Sequence, residues 1–183
     1  MGGRNKDQNH PDARSPIMTG VTGNQDWIHV SQGSGHICGI TSDNILYCWG
    51  TNDYGELGDG TTTEILIPSP VDVSGIGGAT TFSKVEVGDD HTCALATDNI
   101  IYCWGRGSDG RLGHGSNSNS SLPVAIDVSG QIAGDQSFKD FETRGRHNCA
   151  ISSLDKMLCW GDGGNGELGN NASSDSNIPV LVD

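Results

Sequence analysis

A histidine and two cysteines recur at one fixed spacing three times along the chain. The His precedes the first Cys by two positions, the second Cys follows ten positions later, and Trp-Gly comes directly after it. The three copies are His36-x-Cys38 with Cys48, His91-x-Cys93 with Cys103, and His147-x-Cys149 with Cys159. Thiolate and imidazole groups bind zinc, paired cysteines can serve redox chemistry, and they can also form structural cross-links.

Turn-forming residues lie midway between the two cysteines of each copy. In the first copy, residues 42–44 (Ser-Asp-Asn) separate two short apolar segments, which predicts an antiparallel β-hairpin. A hairpin centred there places Cys38 opposite Cys48, and directly opposed residues have Cβ atoms about 4.5–5.5 Å apart. Strand twist commonly brings that separation into the disulfide range. The same arithmetic pairs Cys93 with Cys103 and Cys149 with Cys159.

Three interpretations of these cysteines remain open from spacing alone. A zinc site usually needs four ligands, whereas one His and two Cys supply three, and the CxxC spacing of zinc knuckles and redox sites is absent. Buried free thiols are a second interpretation. Structural disulfides fit the spacing best, and three of them would indicate an oxidising compartment. We therefore expect an extracellular or cell-surface location, no metal and no other cofactor.

The other repeated residues favour structure over catalysis. We expect His36, His91 and His147, which hold one register, to satisfy structural hydrogen bonds in each unit. After each Trp-Gly comes Gly-x-Leu-Gly, at residues 55–58, 110–113 and 166–169, where the glycines are predicted to hold positive φ or to allow close backbone approach. These loops lack the Lys-Ser/Thr of a phosphate-binding loop. No catalytic pattern stands outside the repeat register, so we expect no enzyme.

Internal repetition organises most of the chain. Trp49, Trp104 and Trp160 set a period of 55 and 56 residues, which is typical of stacked or radially arranged repeats. Each unit has four short segments with strand character between turn residues and no helical periodicity, so the predicted fold class is all-β. The predicted divisions are a disordered arm (1–14), an N-terminal strand and linker (15–26), and three repeat units (27–75, 82–130 and 138–183).

Segments near the two ends resemble the last strand of a unit. Pro16, Ile17 and Met18 precede the first unit, and Pro179, Val180 and Leu181 come last in the third. We expect the third unit to be unfinished and the N-terminal strand of one copy to complete it in another copy. Such exchange would join copies head to tail or close a ring. These six residues are therefore candidate assembly strands.

The charge of the chain excludes some classes of partner, and two surface motifs indicate sites of modification. A net charge of −13 with ten scattered basic residues argues against binding to nucleic acid, which needs clustered Lys and Arg. The chain has no apolar run of the length that crosses a membrane, so membrane insertion is not expected. Asn119 and Asn171 begin Asn-x-Ser patterns in polar loops and are candidate glycosylation sites.

The combined motif is similar to the repeat of the regulator of chromosome condensation family. The resemblance rests on His-x-Cys-Gly/Ala-Ile/Leu, then Tyr-Cys-Trp-Gly and Gly-x-Leu-Gly, and it covers about residues 27–183. It implies three four-stranded antiparallel blades of a β-propeller, either partial or completed by assembly, since members close a ring with seven blades. The paired cysteines resemble the extracellular bacterial branch of the family.

That resemblance implies a non-enzymatic function. Known members include an exchange factor that binds nucleosomes, a plant ultraviolet photoreceptor and a secreted β-lactamase inhibitor. For this acidic chain with paired cysteines, it implies an extracellular module for protein–protein interaction or structural self-assembly. The expected partner is a second copy or another extracellular protein. The alternative is a fragment of a secreted ligand-binding or enzyme-inhibitor propeller.

Overall fold

Three separate β-sheets make up the computed structural model, which describes residues 26–77, 81–132 and 136–183. Blade 1 contains β1 (Trp27–Gln32), β2 (His36–Thr41), β3 (Leu46–Gly50) and β4 (Ile65–Pro70). Blade 2 contains β5 (Phe82–Val87), β6 (His91–Ala96), β7 (Ile101–Gly105) and β8 (Ser120–Ala125). Blade 3 contains β9 (Phe138–Arg144), β10 (His147–Ser152), β11 (Met157–Gly161) and β12 (Ser176–Leu181). The predicted fold class of four-stranded antiparallel blades is confirmed.

The second and third strands of each blade form the predicted hairpin. Cys38 lies opposite Cys48 in blade 1, and the corresponding cysteines are opposed in blades 2 and 3. Each turn ends on an Asn or Asp with positive φ, namely Asn44 (64°), Asn99 (68°) and Asp155 (59°). Asn and Asp enter this left-handed region more readily than most residues, so the turn sequence favours the hairpin locally.

Blade 3 is complete, and the expectation of an unfinished third unit is wrong. Its fourth strand, β12, contains Pro179, Val180 and Leu181 and pairs with β11, so that Leu181 lies opposite Leu158 and Val180 opposite Cys159. The edge of β12 that faces β11 is therefore used within the blade itself. The other candidate assembly strand (Pro16, Ile17 and Met18), the arm 1–14 and nearly all of the 15–26 segment lie outside the described residues.

Neighbouring blades bury an apolar core between them. The first core combines Ile40 and Leu46 of blade 1 with Val85 and Trp104 of blade 2. The second core combines the corresponding side chains of blades 2 and 3, including Trp160. Full burial of one large apolar side chain stabilises a fold by about 1.5–3 kcal/mol. Since every blade is thin, these two junctions hold most of the apolar core of the described structure.

Helical structure in the described ranges is limited to one 3-10 turn, Ser108–Gly110. None of it therefore has the length and apolar character of a helix that crosses a lipid bilayer.

Candidate functional site

The repeated cysteines are joined as three disulfides. The pairs are Cys38–Cys48, Cys93–Cys103 and Cys149–Cys159, each with Cα atoms 4.1 Å apart. Their sulfur atoms are bonded to one another and hence do not act as thiolate ligands. Among the residues described, no group of three His, Cys, Asp or Glu side chains could hold a metal ion. The cysteines therefore cross-link the hairpin at the centre of each blade.

We expect the Cys149–Cys159 disulfide to be reduced before the other two in dilute protein. Cys149 is half-buried on the outer face of blade 3, whereas Cys38, Cys48, Cys93 and Cys103 are fully enclosed. Thiol–disulfide exchange requires access of a thiolate to a sulfur atom. Brief reduction followed by alkylation and peptide mass analysis measures the order. Equal reduction of all three pairs would contradict the assignment of an open face on blade 3.

His36 connects blade 1 to blade 2 through a buried chain of hydrogen bonds. Its Nε2 lies 2.8 Å from Thr92 Oγ1, and the Thr92 hydroxyl donates to the Glu56 carbonyl at 2.8 Å. Trp104 Nε1 donates to the same carbonyl at 2.8 Å. The single hydroxyl proton of Thr92 is used on that carbonyl, so His36 is the donor through Nε2–H. We call this arrangement the junction relay: a His ring binds a polar side chain of the next blade, and that side chain and a Trp of the next blade both donate to one backbone carbonyl.

The same relay connects blade 2 to blade 3. His91 Nε2 donates to Asn148 Oδ1 at 2.9 Å, and Asn148 Nδ2 donates to the Arg111 carbonyl at 2.8 Å. Trp160 Nε1 donates to that carbonyl at 3.2 Å. Thr143 adds a hydrogen bond to Asn148 Oδ1. In blades 2 and 3, the residue between His and Cys therefore contacts the preceding blade, a role that the sequence pattern alone does not indicate.

Burial keeps the relay histidines neutral. It lowers the pKa of His36 to about 4 and that of His91 to about 4, because the charged imidazolium would lose its hydration inside the junction. The Nδ1 atoms of His36 and His91 are also buried, with no hydrogen-bond partner in the described structure. A second proton on either ring would be enclosed without an acceptor. The structural role predicted for the repeated histidines therefore has a physical basis at both junctions.

The Gly-x-Leu-Gly loops provide room for the tryptophan of the next blade. A Cβ on Gly58 would lie 2.7 Å from Trp104 Nε1, and a Cβ on Gly113 would lie 2.7 Å from Trp160 Nε1. Both glycines have positive φ, +69° and +67°. The second residue of the same loop, Glu56 or Arg111, supplies the relay carbonyl. The motif thus forms a slot that binds the indole ring of the following repeat.

A further contact joins the first strands of neighbouring blades. His29 Nε2 donates to the Val85 carbonyl at 2.8 Å, and Lys84 Nζ donates to the Phe141 carbonyl at 2.6 Å. Burial acts to lower the pKa of Lys84, but hydrogen bonds to the carboxylates of blade 3 outweigh it and raise this pKa above its usual value. The same position in blade 3 is Asp140, whose carboxylate has no hydrogen to donate.

The outer surface of blade 1 carries a junction face without a neighbour among the described residues. Val30 is 66% exposed, whereas its counterparts Val85 and Phe141 are 0% and 2% exposed. Trp49 is half-buried, although the corresponding tryptophans of blades 2 and 3 are fully enclosed. Together with Trp27 and Pro68, these two residues line an apolar cavity. We call the surface formed by Trp27, Val30, Ile37, Trp49 and Ile67 the blade 1 face.

Blade 3 presents the opposite junction face. Ile151 is 38% exposed, whereas its counterparts Ile40 and Leu95 are 0% and 5% exposed. Met157 is exposed as well. A Cβ on Gly166 would meet no atom within 4 Å, although the corresponding loop glycines pack closely against the last strand of the next blade. We call the surface formed by His147, Ile151, Met157 and the 166–169 loop the blade 3 face.

The candidate glycosylation sites lie in surface loops, and Asn171 lines a cavity together with Gly166 and Gly169 of the blade 3 face. Asn119 and Asn171 are both exposed. Asn119 Oδ1 accepts a hydrogen bond from the Gly107 backbone N–H at 3.0 Å, and Asn171 has a positive φ of 57°. Glycosylation of these two residues stays a prediction.

Known proteins share both the repeat and the fold. The Ultraviolet-B receptor UVR8 of Arabidopsis thaliana is 30% identical over 168 residues, which are 92% of this chain and 37% of the receptor. The E3 ubiquitin-protein ligase HERC2 of Homo sapiens is 32% identical over 161 residues, which are 85% of this chain and 3% of the ligase. The chain thus spans well under two thirds of either relative.

Two solved structures resemble the three blades. Human WBSCR16 has a TM-score of 0.73 at 22% identity, covering 86% of this chain and 39% of that one. Prp20p from Saccharomyces cerevisiae has a TM-score of 0.71 at 19% identity, covering 86% and 38%. At these identities the likeness concerns the fold.

Two family models match the repeats of this chain. The model described as Regulator of chromosome condensation (RCC1) repeat matches residues 43–95 and 98–151, and a second model of the same description matches residues 27–56 and 82–111. On these matches, the chain belongs to the Regulator of chromosome condensation (RCC1) repeat family.

Proposed function

We propose that this chain is a non-enzymatic protein-interaction module that works outside the cell and self-assembles head to tail through its two end faces. The observation that carries the proposal is the exposure of side chains such as Val30 and Ile151, whose counterparts are enclosed in the junctions. Exposed apolar patches on soluble proteins commonly mark interaction surfaces. In repeat proteins each unit is stabilised mainly by its neighbours. Covering an exposed end face with a second molecule therefore lowers the free energy.

Disulfides support the extracellular part of the proposal. Each of the three blades carries one disulfide. Structural disulfides persist in oxidising compartments and are rare in the cytosol.

The relatives support the class of partner only. The yeast protein Prp20p binds Gsp1p and histones, and it also binds Kap60. These partners belong to Prp20p, but they show that the same fold can bind proteins. For this chain we expect a protein partner, with a second copy as the first choice and another extracellular protein as the alternative.

We expect purified protein to form species heavier than the 19.1 kDa chain as its concentration rises. Higher salt is expected to favour them, because copies with a net charge of −13 repel one another and salt screens that repulsion. Analytical ultracentrifugation over a wide concentration range measures the association. Val30→Glu places a charge on the blade 1 face and is expected to prevent association, and Ser129→Glu, on an exposed loop, serves as its control. A folded, monodisperse monomer at every concentration and salt level would refute self-assembly.

A further inference from the structure

The two internal junctions repeat the same contacts and therefore describe what each end face requires of its occupant. Each junction contains the relay, the glycine slot for tryptophan, and the donor from the first strand to a carbonyl of the next blade. The blade 3 face supplies His147 and the 166–169 loop at the corresponding positions. Blade 3 carries Asp140 at the position of the first-strand donor, where its carboxylate accepts a hydrogen bond from Lys84 of blade 2. The blade 1 face supplies Trp49 and Ile37. These positions test whether the two faces of this chain fit one another.

The tryptophan and glycine positions match. Trp49 is at the repeat position of Trp104 and Trp160, whose Nε1 atoms bind the carbonyls of residues 56 and 111. The corresponding carbonyl on the blade 3 face belongs to Glu167, within the open Gly-x-Leu-Gly loop. At the internal junctions, the loop glycines 55 and 110 pack against Ser121 and Asn177, and the blade 1 residue at that position is Leu66, which is exposed. Gly166 has free space there.

The histidine position does not match. His36 binds the hydroxyl of Thr92, and His91 binds the amide oxygen of Asn148. At this position blade 1 carries Ile37, which has no polar group in its side chain. A copy that binds through its blade 1 face would thus enclose His147 without a partner. Asp140 is a second mismatch, because the donors His29 and Lys84 stand at its position in the other blades.

We propose that the blade 3 face of one molecule binds the blade 1 face of a second copy in the register of the internal junctions, and that Ile37 keeps this contact weak. The proposal rests on the proposed function, because it specifies the partner and the geometry of the same end faces. Trp49 would enter the slot formed by the 166–169 loop, with its Nε1–H on the Glu167 carbonyl. Ile37 would lie against His147, where the internal junctions have a hydrogen bond.

A gain of association tests this register. We expect Ile37→Thr to strengthen association about tenfold, because its hydroxyl completes the relay with His147 and the Glu167 carbonyl. Ile37→Val is the matched control, since Val has nearly the shape of Thr without the hydroxyl, and it is expected to leave association unchanged. Adding His147→Ala to Ile37→Thr is expected to remove the gain. Trp49→Ala is expected to weaken association at least about a hundredfold, as the loss of a central aromatic contact does at other interfaces.

Sedimentation analysis of the full chain gives the association constants, and near-ultraviolet circular dichroism checks that each variant is folded. Equal association of the Thr and Val variants, or a gain that survives His147→Ala, would overturn the register. If Trp49→Ala still abolished association in that case, the proposed function of the end faces would stand. Folded monomers for every variant, wild type included, would overturn both proposals.

Discussion

Lowering the pH from neutral to about 4 is expected to remove about 3 kcal/mol of folding stability for each of His36 and His91. The pKa of each ring is about 4 in the folded protein, against 6.5 in the unfolded chain. Between these values the unfolded state binds more protons, so stability rises with pH. The contribution is fully present above pH 6.5 and is lost as the pH falls toward 4.

The carboxyl group of Glu56 acts in the opposite sense. Burial raises its pKa, so the folded state takes up a proton on this group more readily than the unfolded chain does. The total slope therefore contains both effects, and variants are needed to isolate the histidines.

Urea unfolding at a series of pH values measures the histidine effect. In His36→Gln and His91→Gln, the Gln amide N–H2 can reach the position of Nε2–H while the titrating ring is absent. We expect each substitution to flatten the stability profile between pH 6.5 and 4. His147→Gln is the matched control at the same repeat position, where the side chain is half-buried on the blade 3 face. An unchanged profile in the His36 and His91 variants would mean that these rings are not enclosed in the junctions.

Trp104→Ala is expected to destabilise the protein by about 3–5 kcal/mol. The indole is fully enclosed between blades 1 and 2, packs against Gly58, and donates its Nε1–H to the Glu56 carbonyl. Replacement by Ala leaves a large cavity in the first junction and removes that hydrogen bond. The loss is a large fraction of the stability of a typical small domain.

Trp49→Ala provides the matched comparison. The residue occupies the same repeat position and lies in the same Trp-Gly motif, but its side chain is half-buried on the blade 1 face. In dilute protein we expect a loss of about 1 kcal/mol, because no neighbouring blade in the part of the chain that the structure describes encloses the ring. Urea unfolding of both variants measures the difference. Equal losses would contradict the difference between an enclosed junction and an open face.

Comparing these two variants separates the effect of a residue's local sequence from the effect of the blade that packs against it. A residue such as Trp49 or His147 has the same sequence environment as its counterparts, and its local strand and turn are the same. Its energetic role differs because the neighbouring blade differs. Sequence reasoning treats the three copies alike. In the structure, one of the three equivalent residues lies on an open face and the other two are enclosed in junctions.

The sequence by itself determined the hairpins, their register, which cysteines lie opposite one another and the number of repeats of the motif. These features are local, since the cysteines of each pair are ten positions apart and the turn residues between them favour one register. The spacing therefore carries the geometry directly. The same reasoning was wrong about the third unit: residues 179–181 resemble the last strand of a unit, yet the unit was expected to be unfinished, whereas they pair with β11 in their own blade.

The tertiary structure alone decided which side chains meet across the junctions. His36 and Thr92 are 56 positions apart, and no local rule connects them. The position between His and Cys reads Ile37, Thr92 and Asn148, which looks like free variation along one strand. Its chemistry is set by the preceding blade, where a buried histidine requires a hydroxyl or amide partner at both internal junctions. The variation at this position is visible in the sequence, but only the packing of one sheet against the next explains it.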